Sequence, residues 1–195
     1  GDEIFANEFV TTLGYGTTEG YTPLREQTKK RLREKYQTGT DDDDVIITTG
    51  GQQTISLFTQ TMINKGDVIV CEEPSFIGAL NAFRSFGAQL KGVPMDDDGM
   101  RMDLLEEVLS TTKNVKFIYV IPTFQNPSGR TMTLERRKQL LALAKKYDVL
   151  ILEDNPYFEL RYEGEPVATV KSMDTEGRVV YAGSYSKVLS PGMRI

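Results

Sequence analysis

The sequence contains no histidine, and it has one cysteine among its 195 residues. Without histidine, the serine–histidine–aspartate and cysteine–histidine nucleophile systems are excluded, as are the common catalytic zinc sites that need a histidine ligand. Cys71 lies in the apolar run VIVC, which is typical of a small buried side chain in a reducing compartment. Any chemistry must therefore use lysine, tyrosine, aspartate or a cofactor.

Long apolar runs and an excess of basic charge are also lacking. No stretch approaches the roughly 20 apolar residues of a membrane helix, and the N-terminal GDEIFANEF does not resemble a secretory signal. The net charge of −5 argues against a nucleic-acid groove. We therefore expect a cytoplasmic protein with no nucleic acid or membrane as a direct partner, and the length suffices for one main domain.

Short β-branched, apolar runs alternate with stretches of helical spacing along the chain. The runs predict strands at 45–49, 68–72, 89–93, 115–121, 149–153 and 179–182. The spacing predicts helices at 22–36, 52–62, 77–86, 104–109 and 134–147. This alternation predicts an α/β fold with a mainly parallel sheet sandwiched by helices. We divide the chain into an N-terminal segment with one helix, 1–40, and a main domain, 41–195.

Polar clusters follow five of the predicted strands. Because ligands bind at the carboxyl ends of parallel strands, we expect these clusters to meet on one rim of the sheet. In chain order they are GGQQ at 50–53, EPSF at 73–76, PTFQNPSG at 122–129, DNPY at 154–157 and GSYSK at 183–187.

Two of these clusters suggest an anion site. Gly50 and Gly51 end a strand and open a helix, which lets backbone N–H groups approach a phosphate, although a Gly-Gly turn is often only a tight connection. The segment from Ser184 to Arg194 brings two hydroxyls, an amine and a guanidinium together near a strand end. There the amine of Lys187 could meet an aldehyde.

The segment SYSKVLSPGMRI resembles the lysine signature of fold type I pyridoxal-phosphate enzymes, class I/II aminotransferases in particular. Four further motifs match that family in order: TGGQQ, EEPSF, PTFQNPSG and LEDNPY. YGTTEGYTPLRE is most similar to the α-aminoadipate and aromatic aminotransferase group, which includes the aminotransferase domains of transcription regulators. The resemblance covers nearly the whole chain, and it implies the large domain of this fold with pyridoxal 5'-phosphate as cofactor.

The resemblance also implies a role for each site residue. Lys187 would hold the cofactor as a Schiff base and move the proton, and Asp154 would pair with the pyridinium nitrogen. Asn126 and Tyr157 would bind the phenolic oxygen, while Phe76 would stack on the ring. The phosphate would be held by Gly51, Gln52, Ser184, Ser186 and Arg194, with Tyr15 reaching from the second subunit of a homodimer.

Each assignment has a simpler structural alternative. Asn126 precedes a proline and could form an ordinary turn, Asp154 could cap a loop, and Phe76 could be a core residue. Ser184 and Ser186 could be turn residues, and Arg194 could be a surface ion-pair partner. The order of the motifs and their positions at strand ends favour the functional interpretation.

Aminotransferases of this family are roughly twice as long as this chain, a length that forms two domains. The resemblance therefore implies a truncated large domain that lacks the C-terminal small domain and its substrate-binding arginine. It also implies an antiparallel strand starting at Ile195, between the first and last predicted strands. We expect the 195-residue chain alone to bind the cofactor weakly and to be inactive.

Three functions remain open on the sequence alone. The first is an aminotransferase that moves an amino group between an amino acid and a 2-oxo acid. The second is another pyridoxal-phosphate reaction, such as the β-elimination of a lyase, because the motifs hold the cofactor without choosing the reaction. The third is the cofactor-binding sensor domain of a transcription regulator. The sequence does not identify the substrate.

Overall fold

The computed structural model describes residues 2–195, except for the side chains of residues 4, 5, 11 and 12. The chain divides into two compact units, Gly1–Thr48 and Thr49–Ile195. This division lies beyond the predicted boundary at residue 40. The first unit contains three helices: α1 (Asp2–Asn7), α2 (Phe9–Leu13) and α3 (Thr22–Tyr36).

Helix α3 has the bounds that the sequence predicts. A proline occupies its first turn, where the missing N–H has no helical partner to lose. Gln37 ends the helix in the left-handed conformation, with φ at 48°. The helix is charged on most of its surface, and two of its basic residues, Arg25 and Lys29, form ion pairs with Asp44.

The predicted strand at 45–49 is wrong. A strand needs a neighbour for its backbone groups, and none of the described strands pairs with this segment. Its groups bond elsewhere: the Val45 carbonyl accepts from the Arg25 guanidinium at 2.7 Å, and the Ile47 N–H donates to the Glu19 carbonyl at 2.9 Å. This segment is therefore extended chain that does not pair with any of the described strands.

The second unit is a six-stranded sheet with four long helices. In chain order its elements are α4 (Gly51–Met62), β1 (Val68–Glu73), α5 (Ile77–Ser85), β2 (Gln89–Asp96), β3 (Gly99–Met100), α6 (Met102–Thr111), β4 (Val115–Val120), α7 (Leu134–Lys146), β5 (Leu150–Asp154) and β6 (Val179–Ala182). Two single-turn 3-10 helices, Lys171–Met173 and Pro191–Met193, complete it. The five remaining predicted strands and all of the predicted helices are confirmed.

The strands run in the order β3-β2-β1-β4-β5-β6, and every neighbouring pair is parallel except β2 and β3. This confirms the mainly parallel sheet. The sequence analysis did not predict β3, because a two-residue strand shows no periodicity to detect.

Helices cover the sheet on both faces because its central strands are apolar on both faces. On one face, α4 and α5 pack on alternate residues of β1, β4 and β5 in a cluster that includes Ile69, Phe117 and Leu152. On the other face, α6 and α7 pack on the intervening residues, among them Ile118 and Ile151. Both faces are therefore buried, and polar chemistry is confined to the strand ends.

Candidate functional site

Asp154 ends β5 and lies within the sheet, not on an exposed loop. The residue is 8% exposed, and its Oδ2 accepts a hydrogen bond of 2.7 Å from the buried Tyr119 hydroxyl. Burial raises the pKa of Asp154 to about 6, and the bond from Tyr119 opposes this change. Oδ1 accepts no hydrogen bond from the described residues, so one carboxylate oxygen remains available to a ligand.

Asn126, Tyr157 and Lys187 come from three different loops and lie together. The Asn126 amide donates to the Tyr157 hydroxyl at 3.4 Å. The Lys187 amine lies 6.0 Å from the centre of the Tyr157 ring. An amide, a phenol and an amine therefore share this part of the carboxyl edge, and the roles assigned to them stay predictions.

The loop that holds Asn126 is fixed by its neighbour Gln125, which is buried. The Gln125 amide donates to the Glu72 carboxyl at 3.2 Å and to the Pro74 carbonyl at 2.9 Å, and its oxygen accepts from the Ser128 N–H at 2.9 Å. Glu72 also accepts from the Ile121 N–H at 3.0 Å. The end of β1 thereby sets the position of the loop after β4.

A fully buried arginine supports the start of the same loop. Arg137, on α7, donates to the carbonyls of Met132, Pro122 and Ala168 and to the Thr123 hydroxyl, over distances of 2.8 to 3.0 Å. Burial lowers the pKa of Arg137 to about 10, so the guanidinium stays charged at neutral pH. It ties the loop after β4 to the segment before the first 3-10 helix.

The N-terminus of α4 and the end of the chain approach each other at Gly50. Gly50 has φ at 77°, and a Cβ there would collide with the Arg194 guanidinium. A Cβ at Gly51 would meet no atom within 4 Å, so the space in front of the helix is open. The Gln52 amide donates to the Gly78 carbonyl at 3.0 Å. A helix N-terminus beside a guanidinium suits an anion.

Phe76 lies beside this corner and is only partly buried. It precedes α5 and packs on the core cluster of that face of the sheet. A Cβ at Gly78 would meet both the Phe76 ring and the Gln52 side-chain oxygen, so these three residues are neighbours. An aromatic ring at this edge could stack on a flat ligand.

Ser184 and Ser186 face inward, toward the last residue of the chain. Their hydroxyls donate to the Ile195 carbonyl, at 3.1 and 3.4 Å, and the Tyr185 N–H donates to the same oxygen at 3.0 Å. Lys187, in contrast, is exposed. The structure thus gathers the loop after β6 around one carbonyl, and both hydroxyls are already engaged.

Tyr15 lies in the first unit, where its side chain is fully exposed. Its position gives no contact that tests the cross-subunit role, which stays a prediction. Among the described residues, no helix is long and apolar enough to cross a membrane, and no group of three acidic or cysteine side chains could hold a metal ion. Cys71 is free and buried, as expected.

The sequence analysis missed Tyr119, Glu72, Gln125 and Arg137. Two of them left a detectable signal. Tyr119 carries a polar atom among the apolar residues of the buried half of β4, and Arg137 lies at helical spacing with the buried Leu140 and Ala144. Both are buried polar groups, which need partners and therefore mark a network.

Comparison with known proteins agrees with this arrangement. The family model for aminotransferases of class I and II matches residues 2–195. The chain belongs to this family. Over 197 residues it is 48% identical to aromatic-amino-acid aminotransferase 1 of Thermococcus litoralis, covering 99% of this chain and 47% of that protein.

Solved structures of relatives have the same fold. A Pyrococcus horikoshii kynurenine aminotransferase, solved in complex with PMP, superposes with a TM-score of 0.95 at 46% identity, over 99% of this chain and 48% of that one. A second relative is LysN of Thermus thermophilus, an α-aminoadipate aminotransferase solved with N-(5'-phosphopyridoxyl)-L-leucine. It superposes with a TM-score of 0.89 at 35% identity, over 99% of this chain and 49% of that one. The chain spans about half the length of the relatives it matches.

Proposed function

We propose that this chain forms the pyridoxal-phosphate-binding part of a transaminase that transfers an amino group between an amino acid and a 2-oxo acid. The observation that supports it most is the convergence of Asp154, Asn126, Tyr157 and Lys187 at the carboxyl edge of one sheet. Those strand ends are where open α/β sheets bind ligands.

The side chains fit the chemical groups of the cofactor. A pyridinium N–H needs an anionic acceptor, and Asp154 has one carboxylate oxygen without a partner among the described residues. A phenolic oxygen needs donors, which the Asn126 amide and the Tyr157 hydroxyl supply. An aldehyde needs an amine, and Lys187 provides one beside the Tyr157 ring.

The phosphate would be bound at the N-terminus of α4. Gly51 leaves open space there, and Gln52 and the Arg194 guanidinium border it. Ser184 and Ser186 would join them after exchanging the Ile195 carbonyl for the phosphate oxygens. Phe76 would cover one face of the ring.

When bound, pyridoxal phosphate supplies a sink for the electrons released at the substrate Cα. Asp154 would keep the proton on the pyridinium nitrogen, because an ionised carboxylate favours the charged ring. The Lys187 amine would accept the proton from the substrate Cα and then donate it to the cofactor, which completes the transfer of the amino group. Tyr157 and Asn126 would orient the ring through its phenolic oxygen. These roles make Lys187, Asp154 and Tyr157 the proposed catalytic residues.

A visible-absorbance titration with pyridoxal phosphate tests this assignment. We expect a new band with the wild-type chain and its loss in Lys187→Ala, because the band needs the amine. Lys138→Ala removes an exposed lysine from α7 and should behave as wild type. A band that survives in Lys187→Ala would disprove the lysine assignment.

Turnover assays separate the remaining functions. With amino-acid and 2-oxo-acid pairs, amino transfer by the longer parent protein supports the transaminase proposal. Release of ammonia and a 2-oxo acid without transfer would indicate a lyase, and cofactor binding without turnover would indicate a sensor domain. We propose that the 195-residue chain alone turns over far more slowly than the parent, because positioning of the substrate contributes several kcal/mol to catalysis.

We also propose that the parent protein is a cytoplasmic homodimer of amino-acid metabolism with a biosynthetic role. The free, buried Cys71 is consistent with a reducing compartment. Residues 1–40 would form part of the dimer interface and 41–195 the cofactor-binding domain. Fractionation of source cells, with detection of the parent protein by antibody, tests the location.

A further inference from the structure

Tyr119 is the next-to-last residue of β4, close to the carboxyl end of the strand, and its whole side chain is buried. In the parallel pairing of β4 with β5, Tyr119 is opposite Leu152, so Asp154 is its diagonal neighbour on the same face. The Tyr119 hydroxyl reaches Asp154 Oδ2 at 2.7 Å. Two residues that are 35 positions apart in sequence are thereby joined inside the sheet.

The Tyr119 ring is held in place by another aromatic side chain. The Phe83 ring meets it edge to face, with centres 5.3 Å apart and planes at 76°. Phe83 itself is fully buried and contacts Phe117 in the same manner. A ring packed in this way keeps its hydroxyl in one direction, so the bond to Asp154 has a fixed geometry.

The groups near Asp154 decide how much its pKa depends on the Tyr119 hydroxyl. Glu72, on β1, faces the same region, but burial raises its pKa to about 8 and it is therefore mostly neutral at pH 7. The Cys71 thiol, also on β1, stays neutral because burial raises its pKa to about 12. Among the described groups, only Tyr119 lowers the pKa of Asp154, which burial raises.

We propose that Tyr119 is a positioning residue of the cofactor site: its hydroxyl occupies Asp154 Oδ2, which leaves Oδ1 as the acceptor for the pyridinium N–H. The same bond favours the ionised carboxylate, because a donor stabilises the charged form. This inference rests on the proposed function for the cofactor, but the bond itself exists without cofactor. It can therefore be tested on the cofactor-free chain.

The direct measurement is the pKa of Asp154 in the cofactor-free chain, followed by carboxyl ¹³C NMR and assigned with Asp154→Asn. In Tyr119→Phe we expect this pKa to rise by about one to two pH units, because a hydrogen bond to a charged group is lost. Tyr147→Phe is the matched control, since the Tyr147 hydroxyl also bonds a carboxyl group, that of Glu106, at 3.3 Å. It should leave the pKa of Asp154 unchanged.

A second variant keeps the ring and makes its hydroxyl a stronger donor. Replacing Tyr119 with 3-fluorotyrosine should lower the pKa of Asp154, which is the opposite direction to Tyr119→Phe. Opposite changes would not arise from a general loss of packing. If the pKa of Asp154 moves in neither variant, the inference is wrong, and this holds even if Tyr119→Phe folds poorly.

Cofactor affinity distinguishes the two proposals. We expect Tyr119→Phe to weaken pyridoxal-phosphate binding about tenfold, in line with a loss of one pKa unit of charge stabilisation. Opposite pKa changes together with weaker binding support the positioning role. Opposite pKa changes with unaltered binding would overturn the role of Tyr119 toward the cofactor, while the proposed function would still stand or fall on the Lys187→Ala titration.

Discussion

At the residue scale, Gly50 determines the geometry of the proposed phosphate site, which lies between the N-terminus of α4 and the Arg194 guanidinium. Its φ of 77° and ψ of 163° lie in a region that only glycine adopts readily. The absence of a Cβ also lets the Arg194 guanidinium approach. Conformation and close approach therefore both require glycine at this position.

We predict that Gly50→Ala destabilises the chain by about 1–3 kcal/mol and weakens phosphate binding, because the backbone is strained and Arg194 is displaced. Urea unfolding and titration with pyridoxal phosphate measure the two effects. Gly51→Ala is the control for stability, because its Cβ would meet no protein atom within 4 Å. Equal stability of the two variants would contradict this account.

The buried carboxyl group of Glu72 makes the stability of the chain depend on pH. Its folded pKa of about 8 lies above the ordinary value of 4.5, because burial disfavours the charge. A raised pKa means that the folded chain holds a proton which the unfolded chain releases. The stability associated with Glu72 is therefore complete below about pH 4.5 and is lost as the pH rises through about 8.

We predict that the wild-type chain loses about 3 kcal/mol of stability through Glu72 between about pH 5 and about pH 8, and that Glu72→Gln does not show this loss. The free energy of unfolding in urea at the two pH values measures it. Glu106→Gln is the control, because Lys146 lowers the pKa of Glu106 and its titration lies below this range. The same pH dependence in Glu72→Gln as in the wild type would rule out this role.

At the scale of elements, the loops after the strands are fixed by buried polar side chains from elsewhere in the fold. Gln125 links the loop after β4 to the end of β1, and Arg137 links it from α7 to residues 167–168. Such contacts satisfy buried backbone carbonyls that no ladder reaches. They explain how a loop outside the sheet can hold Asn126 in one place.

We predict that Arg137→Met lowers the free energy of unfolding by roughly 3–5 kcal/mol, because several buried carbonyls lose their donor while the apolar volume is largely kept. Lys138→Met places the same side chain on the exposed side of the same helix and should have little effect. Chemical unfolding of both variants gives the comparison. A small loss in Arg137→Met would show that water replaces the guanidinium.

At the scale of the whole molecule, the first unit exposes several apolar side chains. Val10, Leu13 and Tyr15 are 83%, 64% and 110% exposed. Exposed apolar groups close together in sequence are typical of an interaction surface. This supports the proposal that the N-terminal segment contributes to a homodimer, in which each subunit presents the same surface.

We predict that the chain self-associates through this segment, and that Leu13→Asp shifts it toward the monomer because a charge would be buried in the interface. Sedimentation velocity over a range of concentrations measures the shift. Tyr162→Asp places the same charge at an exposed aromatic residue of the second unit and should leave the association unchanged. A wild-type chain that stays monomeric at high concentration would argue against the interface.

The sequence by itself determined the parts that local patterns encode. Alternating apolar runs and helical spacing specify β1, β2, β4, β5, β6 and the longer helices, because each depends on neighbours within a few residues. Motif order likewise placed Asn126, Asp154 and Lys187 after strands. Parallel strands then require their carboxyl ends to share one edge, so the location of the site followed from connectivity.

Only the tertiary structure decided which side chains meet and which segments pair. Tyr119 contacts Asp154 across 35 residues, and Gln125 contacts Glu72 across 53, because the sheet order places β1 and β5 on either side of β4. The segment at 45–49 has the composition of a strand but no ladder, since pairing needs a partner as well as propensity. Such contacts depend on the whole arrangement of the chain, and no local pattern specifies them.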